Sequence, residues 1–69
     1  MDQKTIDNNF TYHAPKGTQA ERYELIRADA KKLAERIAIS SPISREQSIA
    51  FTNLEQAVMW ANAAIARNE

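Results

Sequence analysis

The stretch SREQSIAFTNLEQAVMWANAAIAR, Ser44 to Arg67, decides the fold. It holds neither Gly nor Pro, so nothing in it breaks a helix. Phe51, Leu54, Val58, Ala61 and Ile65 recur at spacings of three and four, which places them on one helical stripe. Ala50, Ala57 and Ala64 flank the stripe, and their small side chains let a neighbouring helix approach closely. Met59 and Trp60 lie off it, so the apolar surface is wider than one partner helix covers. At about 1.5 Å per residue the helix is roughly 35 Å long. A helix of this kind packs on more than one side, and a chain of 69 residues does not supply all those partners itself.

Upstream of it, Ser40-Ser41-Pro42-Ile43 interrupts the helical pattern. Pro42 cannot continue a hydrogen-bond ladder, and Ser41 or Ser44 can cap the helix that follows. Before the break, Thr18-Gln19-Ala20-Glu21 reads as a capping box that opens a first helix running to about Ile39. Its apolar stripe is Tyr23, Ile26, Ala30, Leu33 and Ile37, and its other side carries Arg22, Asp29, Lys32, Glu35 and Arg36. A connection this short forces the two helices antiparallel. Ahead of them, Phe10-Thr11-Tyr12-His13-Ala14-Pro15-Lys16-Gly17 reads as an ordered arm, with Pro15 pushing Ala14 extended and Gly17 allowing a bend. Residues 1–9 are polar, with Asp7-Asn8-Asn9 as a turn, and read as a flexible N-terminus. The expected fold is all-α: an arm over residues 10–18 and an antiparallel two-helix hairpin, forming one domain over 10–69.

Composition narrows the function. A chain this short buries only about 60% of the surface its unfolded form exposes. It has no cysteine for disulfides, so self-association is the expected stabiliser. One His without Cys leaves no structural zinc site. Nine basic and nine acidic side chains cancel, which argues against polymeric nucleic acid or an anionic membrane as the partner. No apolar run near Met1 suggests a signal peptide or a span. Ser40, Ser41, Ser44 and Ser48 cluster where helix ends need caps, and Glu21, Glu24, Asp29 and Glu35 sit among basic neighbours as a solvated face. Neither set resembles catalytic machinery, and no phosphate loop or cofactor motif is present, so an enzyme is not expected.

The arm is more informative. Phe10 and Tyr12, two apart, point the same way from an extended segment and can stack on nucleobases. They can equally plug the open end of the hairpin, which is the better reading for Phe10; for Tyr12 the two stand level. Arg27 borders the apolar seam, where an Arg can snorkel or can offer a planar fork to phosphate. Lys16, His13 and Arg22 are further donors that can converge with it on one small anion near the start of the first helix.

Two blocks of the chain resemble a known family. Phe10-Thr-Tyr-His-Ala-Pro-Lys-Gly-Thr-Gln-Ala-Glu-Arg-Tyr23 with Leu25-Ile26-Arg27, and Asn53-Leu-Glu-Gln-Ala-Val-Met-Trp-Ala-Asn-Ala-Ala-Ile-Ala-Arg67, are similar to the anti-CBASS sponge proteins of bacteriophages. Their hairpin domain is shared with anti-Thoeris sponges. The resemblance implies a homohexamer that binds cyclic dinucleotides such as cyclic GMP–AMP without cleaving them, in the cytoplasm of the infected bacterium. It also implies an arm Tyr that stacks on a base and a basic residue on the first helix that meets phosphate, roles that fall on Tyr12 and Arg27. Relatives carry Lys where Arg27 stands. Some relatives bind cyclic trinucleotides through an Arg early in the second helix, where this chain has Ala50-Phe51. The competing reading, from another class, is a structural hairpin adaptor whose apolar faces bind a host or phage protein. Titration with cyclic nucleotides separates the two.

Overall fold

A computed structural model describes residues 1–69 as three helices and no strand: α1 (Gln3–Phe10), α2 (Gln19–Ser40) and α3 (Arg45–Asn68). The hairpin is α2 and α3. Hydrogen bonds tie opposite ends of the pair: Arg22 near the start of α2 to Glu69 after α3, and Gln47 near the start of α3 to the carbonyls of Ile37 and Ser41. The two helices therefore run antiparallel, as their short connection requires.

Each turn and cap has a local cause. Ser44, in extended geometry, caps α3 by accepting from the Gln47 N–H at 3.1 Å. Ser41 does not cap α3; its hydroxyl donates to the Ile37 carbonyl at 2.6 Å and closes the end of α2. Gly17 adopts φ +57, the left-handed region that favours glycine, and turns the arm into α2. The expected capping box at Thr18 does not form. Its hydroxyl instead accepts from Arg22 Nε at 3.2 Å, because Arg22 is drawn across the helix start toward Glu69.

The seam of α3 is the expected one: Phe51, Leu54, Val58, Ala61 and Ile65 are all half-buried. On α2 the half-buried positions are Tyr23, Ile26, Ala30, Ala34 and Ile37, whereas Leu33 is 50% exposed. One partner helix covers a narrow stripe, and Leu33 lies just past its edge.

The N-terminus corrects the sequence reading. Residues 3–10 are helical where a flexible segment was expected, and Asp7, Asn8 and Asn9 are helical rather than a turn. The Asp2 carboxylate caps α1 by accepting from the Thr5 N–H at 2.9 Å, a bond that also holds the carboxyl below its ordinary range. Gln3 donates to Asp7 at 2.8 Å one turn on. Eight residues are too few for a helix to persist alone. Its tertiary anchor is Asn8, whose side-chain amide donates to the Arg67 carbonyl at 3.1 Å.

The molecule is a slab of 45 × 29 × 13 Å, little thicker than one helix with its side chains. Its radius of gyration, 15.2 Å, exceeds the roughly 11 Å of a compact domain this long. Gln19 is the one fully buried residue, and no apolar side chain is fully buried. Leu25, Ile39, Ile43, Met59 and Trp60 are each more than 60% exposed. No helix is long and apolar enough to cross a membrane.

Candidate ligand-binding site

The arm between α1 and α2 is held at three points. His13 Nε2 lies 2.8 Å from the Asn8 carbonyl, which can only accept, so that nitrogen carries the proton and donates. The Lys16 backbone N–H donates to Gln19 Oε1 at 3.1 Å, and the Gln19 N–H returns to the Lys16 carbonyl at 3.1 Å. These bonds explain why a polar Gln is the most buried residue: it organises the arm from beneath.

So held, the arm forms one wall of an open hollow of about 360 Å³. Tyr12, His13 and Pro15 come from the arm, Tyr23 and Arg27 from α2, and Asn62, Ala63 and Ala66 from α3. Tyr12 is 83% exposed, which leaves its ring faces free. The Arg27 guanidinium sits 3.6 Å from the Glu24 carboxylate, with 61% of its side chain exposed. A surface pair at that spacing and distance holds a cation only weakly, so Arg27 stays available to a stronger anion. Ala63 and Ala66 make that side of the hollow small and apolar.

Of the residues singled out from sequence, Tyr12, His13 and Arg27 meet here, while Lys16, Arg22 and Phe10 do not line the hollow. Arg22 is engaged elsewhere. Both its terminal nitrogens donate to the Glu69 carboxylate, one at 2.7 Å. That contact, chiefly its hydrogen bonds, holds the Glu69 carboxyl down at about 2 and raises the Arg22 guanidinium further. To meet a phosphate, Arg22 has to release Glu69. Phe10 is the last residue of α1 and is 83% exposed, so it neither points alongside Tyr12 from an extended strand nor plugs the hairpin within this chain.

Sequence reasoning missed Asn62. It is half-buried beside the Ala63 and Ala66 side of the hollow, and its Oδ1 is shut off from solvent without any hydrogen-bond partner. An orphaned buried acceptor costs about 1–3 kcal/mol, so such a group asks for an explanation. The signal was present in Ala61-Asn62-Ala63-Ala64-Ile65-Ala66, where Asn62 is the lone polar side chain. A second hollow of about 530 Å³, between α1 and the end of α3, is polar and bears Lys4, Arg67 and the other side of His13. No group of three or more His, Asp or Glu gathers as a metal site.

No curated protein and no solved structure matches the chain. A family profile does, over residues 1–66, and its description is "Acb2/Tad1, hairpin domain". The match takes in α1, the arm, α2 and nearly all of α3, so it spans the hollow and the elements that build it. With an all-helical hairpin and both similar sequence blocks inside the matched region, the chain belongs to the Acb2/Tad1 hairpin-domain family.

Proposed function

We propose that this protein is a non-enzymatic sponge that sequesters cyclic dinucleotide messengers such as cyclic GMP–AMP and thereby silences CBASS signalling in a phage-infected bacterium. It acts stoichiometrically in the host cytoplasm, so affinity and abundance matter and turnover does not. The observation that carries the reading is that Tyr12 and Arg27 line one open hollow in a chain of this family. An aromatic face for a base and a guanidinium fork for a phosphate are the two features a cyclic nucleotide offers partners for. His13 forms the wall between them, and Lys16, Arg22 and Phe10 stand outside it as secondary contacts.

The working form is a homo-oligomer, and we assign it as a hexamer from the family. A single helical layer has no second layer to pack on, and stable domains are built from at least two. Its accessible surface of 5596 Å² exceeds by about 1,200 Å² what a compact monomer of this size exposes. A standard interface covers roughly 800 Å² on each partner, so the excess is enough for one or more contacts with other copies. Self-assembly thus accounts for the apolar surface that a hairpin adaptor would use on a foreign protein. Calorimetric titration of the purified protein with cyclic di- and trinucleotides tests the proposal. Saturable binding with recovery of intact ligand on heating is the expected result. Linear product would reveal an enzyme, and absence of binding across the panel would leave the adaptor reading standing.

A further inference from the structure

We infer that Asn62 reads the edge of the bound base and favours adenine, an inference that rests on the ligand class proposed above. Three observations meet at this residue. Its Oδ1 is desolvated and has no partner. It lines the same hollow as Tyr12 and Arg27, so a base stacked on the tyrosine with its phosphate at the arginine lies within that space. Its neighbours there, Ala63 and Ala66, present only methyl groups, so on the α3 side Asn62 alone supplies polar contacts.

The terminal torsion of an Asn side chain is broad, so the amide can turn to present its oxygen and nitrogen side by side. That pair is one acceptor beside one donor. Adenine offers the matching donor and acceptor twice, as N6–H with N7 and as N6–H with N1. Guanine presents two adjacent acceptors, N7 and O6, on one edge, which would leave the Asn62 oxygen still unpaired. Pyrimidines offer a matching pair on a smaller ring, with less surface to stack on Tyr12. A base N–H therefore satisfies the orphaned oxygen only when the right edge faces α3.

The test titrates wild type, Asn62→Ala and Asn62→Asp with cyclic di-AMP, cyclic di-GMP and cyclic di-UMP. Wild type should favour the adenine ligand over the guanine ligand by about 5- to 150-fold, the range of one good bidentate contact. Asn62→Ala should erase that ratio. Asn62→Asp presents two acceptors, which suit the N1–H and N2–H donors of guanine, and should reverse it. Because each result is a ratio within one variant, the fraction of correctly folded protein cancels. An adenine preference that survives both substitutions, or a wild type that binds the three ligands equally, overturns the assignment to Asn62 while leaving the sponge reading in place. Failure of wild type to bind any cyclic nucleotide overturns both.

Discussion

Tyr12 and Arg27 contribute little to the folded chain, since both project from it. Tyr12→Ala should therefore keep the native melting temperature without ligand, yet weaken cyclic dinucleotide binding by about 1–3 kcal/mol per stacked base. Arg27→Ala should weaken it by as much or more, and Arg27→Lys should fall between, keeping the charge but losing the fork. Calorimetry on the three variants checks this; unchanged affinity in all of them would move the site away from the arm. Glu69 makes a different prediction. Its folded carboxyl sits at about 2 against an ordinary 4.5, so it favours the folded state above 4.5. That contribution fades as pH falls from 4.5 toward 2. Glu69→Gln should flatten the pH dependence of the melting temperature in that window, with Asp2, also held low, supplying part of what remains. The pair is exposed, so salt should shrink the difference between the two proteins.

At the level of elements, α2 and α3 were legible in the sequence because their apolar spacing and the Ser41-Pro42 break are strong local signals. Leu33 was misplaced because spacing alone cannot say how wide a stripe the partner will cover. Helix α1 was not legible. It carries a single half-buried aliphatic residue, Ile6, and owes its place to the bond from Asn8 to the Arg67 carbonyl, 59 residues away in sequence. The Thr18 cap failed for a similar reason: Glu69, across the fold, redirects Arg22 onto the threonine. Tyr12 and Arg27 were identified by chemistry and by resemblance. Asn62 needed coordinates, since only they reveal an acceptor left without a partner. It follows that Asn8→Ala should free α1 and release His13 with it, because His13 donates to the carbonyl of that residue. Amide hydrogen exchange should then speed up over residues 3–13 while α2 and α3 hold their protection; uniform protection would place the anchor elsewhere. Val58→Glu acts on the other two helices. A carboxylate in their seam costs several kcal/mol, and circular dichroism should record lost helix.

For the whole molecule, a slab 13 Å thick whose apolar side chains are nowhere fully buried has little to stabilise it as an isolated chain. Sedimentation equilibrium at micromolar concentration should find an assembly larger than a dimer, with folding lost as dilution dissociates it. A stable folded monomer would contradict this. Trp60 gives that equilibrium an optical signal. It is the only tryptophan in the chain, stands 64% exposed, and has the Arg67 guanidinium 5.9 Å from its ring centre. An indole in water emits to the red and is open to collisional quenchers, whereas one covered by a neighbouring copy emits to the blue and is shielded. If the exposed face of α3 is where copies meet, the emission of unlabelled protein should shift blue with rising concentration, and iodide quenching should fall in step. The protein would then report its own state of association through a single built-in fluorophore.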